Sequence, residues 1–150
     1  MENGTAIYGR RVNYYETDRM GIVHHSNYIR YFEEARLDLM EKCGLDYKGI
    51  EDMGIIIPVT FVDCRYIMSL RYGDDARIES HFTKYTGIRF EVSYQIYREG
   101  SEELCTEGKT GHCFLNKEMR PIRVRREFPE LHQKFLHLVE GESSKKGVQS

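Results

Sequence analysis

The densest run of reactive side chains is Tyr14-Tyr15-Glu16-Thr17-Asp18-Arg19-Met20-Gly21-Ile22-Val23-His24-His25-Ser26-Asn27-Tyr28. It reads as a loop feeding a helix. A helix start offers backbone N–H groups without intrahelical partners and a partial positive charge. Both suit an anion, or an oxyanion developing on a carbonyl. A carboxylate at Asp18 beside such a place has the chemistry of a nucleophile or a general base. His25 would hold a water or a substrate carbonyl. The alternative is that Asp18 caps a turn, as loop aspartates commonly do, with the histidines as surface or core fillers. His24 and His25 are neighbours, and helical neighbours point about 100° apart, so only one is expected to face the site. His24 is then pocket wall or surface.

Basic groups gather later in the chain. Arg120, Arg123, Arg125 and Arg126 fall within one short segment, and arginine forks suit phosphates. With Glu118 and Glu127 as neighbours, a solvated edge is the competing reading. Lys84 and Arg89 flank Gly87 and have the same two readings. Glu33 and Glu34 are expected on the solvated face of a helix, or one of them lining a pocket.

The elements that must position these groups follow from periodicity. Ile7 to Tyr15 is rich in β-branched and aromatic residues and predicts a strand. Tyr28, Ile29, Phe32, Ala35, Leu39, Met40 and Cys43 recur at steps of three and four and predict a helix over 27–43. Ser26 or Asn27 would be its N-cap and Gly44 its stop. A short helical or irregular stretch, 47–53, precedes a long β-prone run over 55–66, where Pro58 suggests an edge position or a bulge. Period-two alternation predicts strands over 75–86 and 88–97, joined by a turn at Gly87. Further strands are expected over 103–115 and 122–124. Phe128, Leu131, Phe135 and Leu138 predict a closing helix. One helix against a run of antiparallel strands fits an α+β domain with a curved sheet around the helix. The other face of that sheet would need cover, which points to a homo-oligomer.

Composition excludes several classes. The 22 basic and 24 acidic groups give a formal charge of -2 with no long run of one sign. That argues against nucleic acid as a partner, since phosphate binding draws on clustered Lys and Arg. No apolar window is long enough to span a membrane. Met1-Glu-Asn-Gly-Thr lacks the basic and apolar regions of a signal peptide, so a cytoplasmic location is expected. Cys43, Cys64, Cys105 and Cys113 show no metal-ligand spacing, and free thiols are expected. No metal is predicted.

The string Tyr14-Tyr15-Glu16-Thr17-Asp18-x-x-Gly21-Ile22-Val23-x-His25-x-Asn27-Tyr28, followed by Tyr31-Phe32-Glu33 and Ala35-Arg36, resembles a known signature. It is that of the 4-hydroxybenzoyl-CoA thioesterase-like branch of the hotdog-fold acyl-CoA thioesterases. The element order, the Gly87 turn and Arg120-Pro121-Ile122-Arg123 extend the resemblance over nearly the whole chain. It implies a single hotdog domain over 1–140, an α+β fold with a sheet around one long central helix. Residues 141–150 are expected to be a disordered tail.

The resemblance also implies roles. Asp18 matches the catalytic carboxylate, as nucleophile or general base, and the His25 backbone N–H matches the donor that polarises the thioester carbonyl. Tyr14 matches a tyrosine flanking the site, and Gly21 the glycine that turns the loop onto the helix. Gly21 and Val23 would contact substrate; Arg89 and Arg123 are further substrate-binding candidates on the arginine–phosphate chemistry above, not on the resemblance. Arg19-Met20 departs from the small residues or proline usual there. The implied partners are an acyl-CoA substrate and copies of the chain, as a homodimer or tetramer of dimers, with no cofactor. Two other functions fit the same scaffold: a non-catalytic acyl-CoA-binding or regulatory module, and a thioesterase acting on an acyl carrier protein.

Overall fold

The computed structural model describes residues 4–149, with side chains described through residue 139. Strands β1 (Thr5–Arg11), β2 (Val59–Tyr66), β3 (Asp75–Tyr85), β4 (Arg89–Arg98) and β5 (Leu104–Cys113) form one antiparallel sheet. Its order is β1-β3-β4-β5-β2, which puts β1 and β2 at the edges. The helices are α1 (Ser26–Lys42), α2 (Tyr47–Asp52), α3 (Val124–Glu127) and α4 (Pro129–Gln149).

The alternation seen in the sequence sets the inner face. Ala76, Ile78, Ser80 and Phe82 of β3 are buried, as are Phe90, Val92, Tyr94 and Ile96 of β4. Register pairs Ile78 with Ile96 and Ser80 with Tyr94. On this face α1 lays Tyr28, Tyr31, Phe32, Ala35, Leu39 and Met40, all buried. The Phe32 ring stacks on Tyr94 at 4.4 Å between centroids. Gly108 of β5 makes that approach possible, because a Cβ there would lie 2.5 Å from the Phe32 ring. The result is the sheet-around-helix arrangement of the hotdog expectation.

The outer face of the sheet is polar over its central strands. Glu91, Ser93 and Gln95 of β4 and Glu107 and Lys109 of β5 line it, and Lys109 pairs with Glu91 at 3.8 Å. Water covers charged and polar groups of this kind. The apolar surplus sits on edge strand β2 instead, where Val59, Phe61, Val62 and Tyr66 are exposed.

Several boundaries differ from the periodicity. β1 stops at Arg11, and Tyr14–Glu16 is a 3-10 turn instead of strand. β2 begins only at Val59, because Pro58 has no N–H to donate; Ile56 makes an isolated bridge with Leu115. No strand forms over 122–124: Leu115 bridges Pro121, and Val124 opens α3. Lys42 ends α1, and Gly44 sits past it at φ 78°, a conformation glycine adopts freely. The α4 backbone stays helical to Gln149, through the stretch expected as a disordered tail. Glu142, Lys145 and Lys146 are reasonable helix formers, and no proline interrupts them. Side chains there, and Ser150, lie outside the described residues.

Candidate active site

The Asp18 segment is a small hairpin. Thr17 bridges Val23, the Asp18 N–H donates to the Ile22 carbonyl at 2.9 Å, and the Gly21 N–H donates to the Asp18 carbonyl at 3.0 Å. Gly21 sits at φ 79°, which the tight return requires. Asp18 Oδ1 accepts the Met20 N–H at 2.8 Å. The capping reading of Asp18 is therefore correct for one oxygen, while Oδ2 has no hydrogen-bond partner among the described residues. The side chain is half-buried. Arg19 and Met20 point into solvent, so their bulk does not crowd the carboxylate.

The hairpin is fastened to the start of α1. Val23, 3% exposed, donates its N–H to the Leu70 carbonyl at 2.9 Å. The Glu16 carbonyl accepts both the His24 N–H at 2.9 Å and Asn27 Nδ2 at 2.8 Å. The N-cap is His25, with helical backbone angles and no capping side chain, rather than Ser26 or Asn27. Among the described residues nothing accepts the His25 N–H. His24 Nδ1 takes the Ser26 N–H at 3.3 Å and meets Ser26 Oγ at 2.9 Å, which assigns the neutral ring's proton to Nε2.

The two histidine rings do not splay apart. They stack at 4.2 Å between centroids and 30° between planes. Helical spacing does not apply here, because His24 precedes the helix and His25 only caps it. Beside them lies a cleft of about 250 Å³ lined by Ile22, Val23, His25, Tyr28, Tyr66 and Met68 among others. The Tyr66 hydroxyl donates to the His25 carbonyl at 3.1 Å, and that of Tyr28 accepts the Leu70 N–H at 3.0 Å. Burial, then the neighbouring Cys64, pushes the Tyr66 hydroxyl up to about 12, so it stays a donor near neutral pH.

Tyr14 is 75% exposed, edge-on to Tyr72 at 5.5 Å, and its carbonyl takes the Thr17 N–H and hydroxyl. It does not line the cleft. Arg89 and Arg123 lie elsewhere. Arg89 opposes Cys113, at the end of the sheet where Val59 opposes His112, whereas Tyr66 opposes Thr106. Seven residue steps along β2, about 23 Å at 3.3 Å each, separate those ends. The Val124 N–H donates to the Gly87 carbonyl at 3.0 Å, which brings the Arg123 segment to the Arg89 turn. Val23 and His25 therefore line one cleft, Asp18 and Gly21 lie on the hairpin that leads to it without lining it, and Arg89 and Arg123 lie at the far end of the sheet.

Glu16 is the group the sequence reading passed over. Its side chain is buried against Arg10, Asn13 and Tyr31. The spacing Asn13-x-x-Glu16 is that of a capping box, which was the available signal. Glu34, whose side chain stays 39% exposed on the helix face as expected, also pairs with Arg10 at 2.7 Å. Nothing in local sequence announces Tyr66, which arrives from β2.

A thioesterase-like superfamily model matches residues 12–137, and the chain belongs to that superfamily. A DHNA-CoA thioesterase from Staphylococcus aureus superposes with a TM-score of 0.89 at 33% identity, over 94% of this chain and 95% of that one. A hypothetical protein from Aquifex aeolicus gives 0.76 at 34%, over 83% and 97%. The 1,4-dihydroxy-2-naphthoyl-CoA hydrolase of Thermosynechococcus vestitus is 29% identical over 124 residues, 82% of each chain. The enzyme is a thioester hydrolase with the hotdog fold.

Proposed function

We propose that the enzyme hydrolyses acyl-CoA thioesters to the free acid and coenzyme A, with Asp18 as nucleophile or general base and the His25 N–H polarising the carbonyl. What supports this is His25 at the start of α1, which lines a cleft and whose N–H has no acceptor among the described residues, with an Asp18 carboxylate engaged through one oxygen on the hairpin bonded to that same helix start. A thioester has weak resonance and needs little more than these two groups. As base, Asp18 takes a proton from water, which adds to the carbonyl before thiolate leaves. As nucleophile, it adds to the carbonyl and expels coenzyme A thiolate as the C–S bond breaks, leaving a mixed anhydride that water opens to the free acid and the Asp18 carboxylate. The helix start adds about 0.3–1 kcal/mol of charge stabilisation when exposed, and more when buried. Loss of one oxyanion donor costs about 2.7–4 kcal/mol in a comparable hydrolase. Gly21 shapes the loop and Val23 walls the cleft, while Tyr14, exposed against Tyr72, has no part in the chemistry.

Two copies complete the site in this reading. The free edge of β2 carries exposed apolar side chains and unpaired backbone groups, which antiparallel pairing with a second β2 would satisfy. Antiparallel pairing sets the Val59 end of one copy beside the Tyr66 end of the other. Arg89 and Arg123 of the second copy then approach the His25 cleft, where their forks suit the phosphates of coenzyme A. Aromatic, short, medium and long acyl-CoA thioesters should be tested by thiol release. Turnover of at least one supports the reading. Silence across the panel, with turnover of an acyl carrier protein thioester, would overturn the choice of carrier.

A further inference from the structure

We infer that Glu16 is a positioning residue that sets the Asp18 carboxylate against the His25 N–H; this rests on the reading of those two groups as the reacting pair. Both ends of Glu16 are fully engaged. Arg10 Nη2 donates to its two carboxylate oxygens at 2.7 and 2.8 Å. The Asn13 N–H at 2.8 Å and the Tyr31 hydroxyl at 2.9 Å converge on Oε1. The residue is 6% exposed. Arg10 is fixed in turn by Glu34 and by the Tyr31 ring, 4.1 Å below its guanidinium carbon. At the backbone, the Glu16 carbonyl holds the His24 N–H and Asn27 Nδ2.

One residue thus ties β1 and the middle of α1 to the two positions that matter. It lies two residues before Asp18, and it grips the residue immediately before His25. Only a carboxylate answers all these donors. An amide has one acceptor oxygen and would turn an N–H toward Arg10. A buried charge is costly unless paired, so the cluster holds together as a unit or not at all. A displacement of about 1 Å between reacting groups can cost about 10²-fold in rate, which is the scale on which such a brace acts.

The test reads kcat, KM and melting temperature for Asn27→Ala and Glu16→Gln, each in the wild-type and the Asp18→Asn backgrounds. Asn27→Ala cuts the tether without entering the buried ion cluster, so it reports even where Glu16→Gln fails to fold. The expected result is a fall in kcat of about tenfold or more, from misplacement alone, with KM within about twofold. Asn27→Ala should keep its melting temperature, and neither change should slow the Asp18→Asn enzyme further. Equal losses in both backgrounds, or unchanged kcat in a folded variant, would reduce Glu16 to a structural role. Asp18→Asn with wild-type turnover would instead remove the reacting pair itself, and with it the role assigned to Glu16.

Discussion

At one end of the sheet Phe135 of α4 packs among Tyr85, Phe90, Phe114 and Phe82, with ring centroids 4.9, 5.1, 5.5 and 5.8 Å away. At the other end the start of α1 is held by Glu16, Arg10, Glu34 and Tyr31, an ionic cluster beside the Asp18 hairpin. The aromatic end contributes non-directional burial, which stabilises whatever fills the space. The ionic end gains little net stability, because desolvation offsets much of its attraction, but it allows only one geometry. Stability and positioning are therefore placed at opposite ends of one small core.

The comparison breaks first at Phe135. Phe135→Ala should cost about 3–5 kcal/mol in urea melts and leave the rate per folded molecule unchanged. A loss of kcat in folded protein would show that the aromatic end also shapes the site. Arg10→Ala comes next, leaving Glu16 buried without its cation, and about 3 kcal/mol is expected. Unlike Phe135→Ala, it should lower kcat in the molecules that remain folded. Stability that falls with no change in that rate would separate the ionic cluster from the site.

His112 sharpens the picture through pH. It lies on the inner face, stacked on Phe90 at 4.7 Å with Thr110 Oγ1 2.8 Å from Nε2. Burial, then the charge of Arg36, pushes its imidazole down to about 3. The unfolded chain protonates near its ordinary value of 6.5 while the folded chain stays neutral, so the unfolded state binds more protons. Stability is therefore complete above about pH 6.5 and is lost as pH falls from there toward about 3, by about 2 kcal/mol at pH 5. Urea melts at pH 7 and 5 should show this loss in wild type and much less of it in His112→Gln. The smallest effect is expected from Arg89→Ala and Arg123→Ala, a rise of about two- to fivefold in KM at constant kcat, shrinking as salt is added.

The aromatic end was largely legible, because its residues carry their own periodicity: alternation placed Phe82 and Phe90 inward, and helical spacing placed Phe135. Asp18, Gly21 and His25 were legible as a motif on a loop before a helix. What stayed hidden arrives across the chain. Tyr66 reaches His25 from β2, and Arg10 reaches Glu16 from β1. A charged residue reads as solvated until the fold buries it, as Glu16 shows at 6% exposure. The separation of Arg89 from His25 was hidden for the same reason, since it depends on which strand pairs with which. The stacking of His24 on His25 followed from where the helix begins, and single-residue boundaries are the part of an element that sequence sets least tightly.

The most direct measurement is thiol release by Asp18→Asn beside wild type, on the best acyl-CoA substrate and with both proteins melting at the same temperature. The account predicts a fall in kcat of at least about 10²-fold, the scale of general base or nucleophilic catalysis. Turnover within about threefold of wild type in the folded variant would contradict it and move the chemistry away from the hairpin.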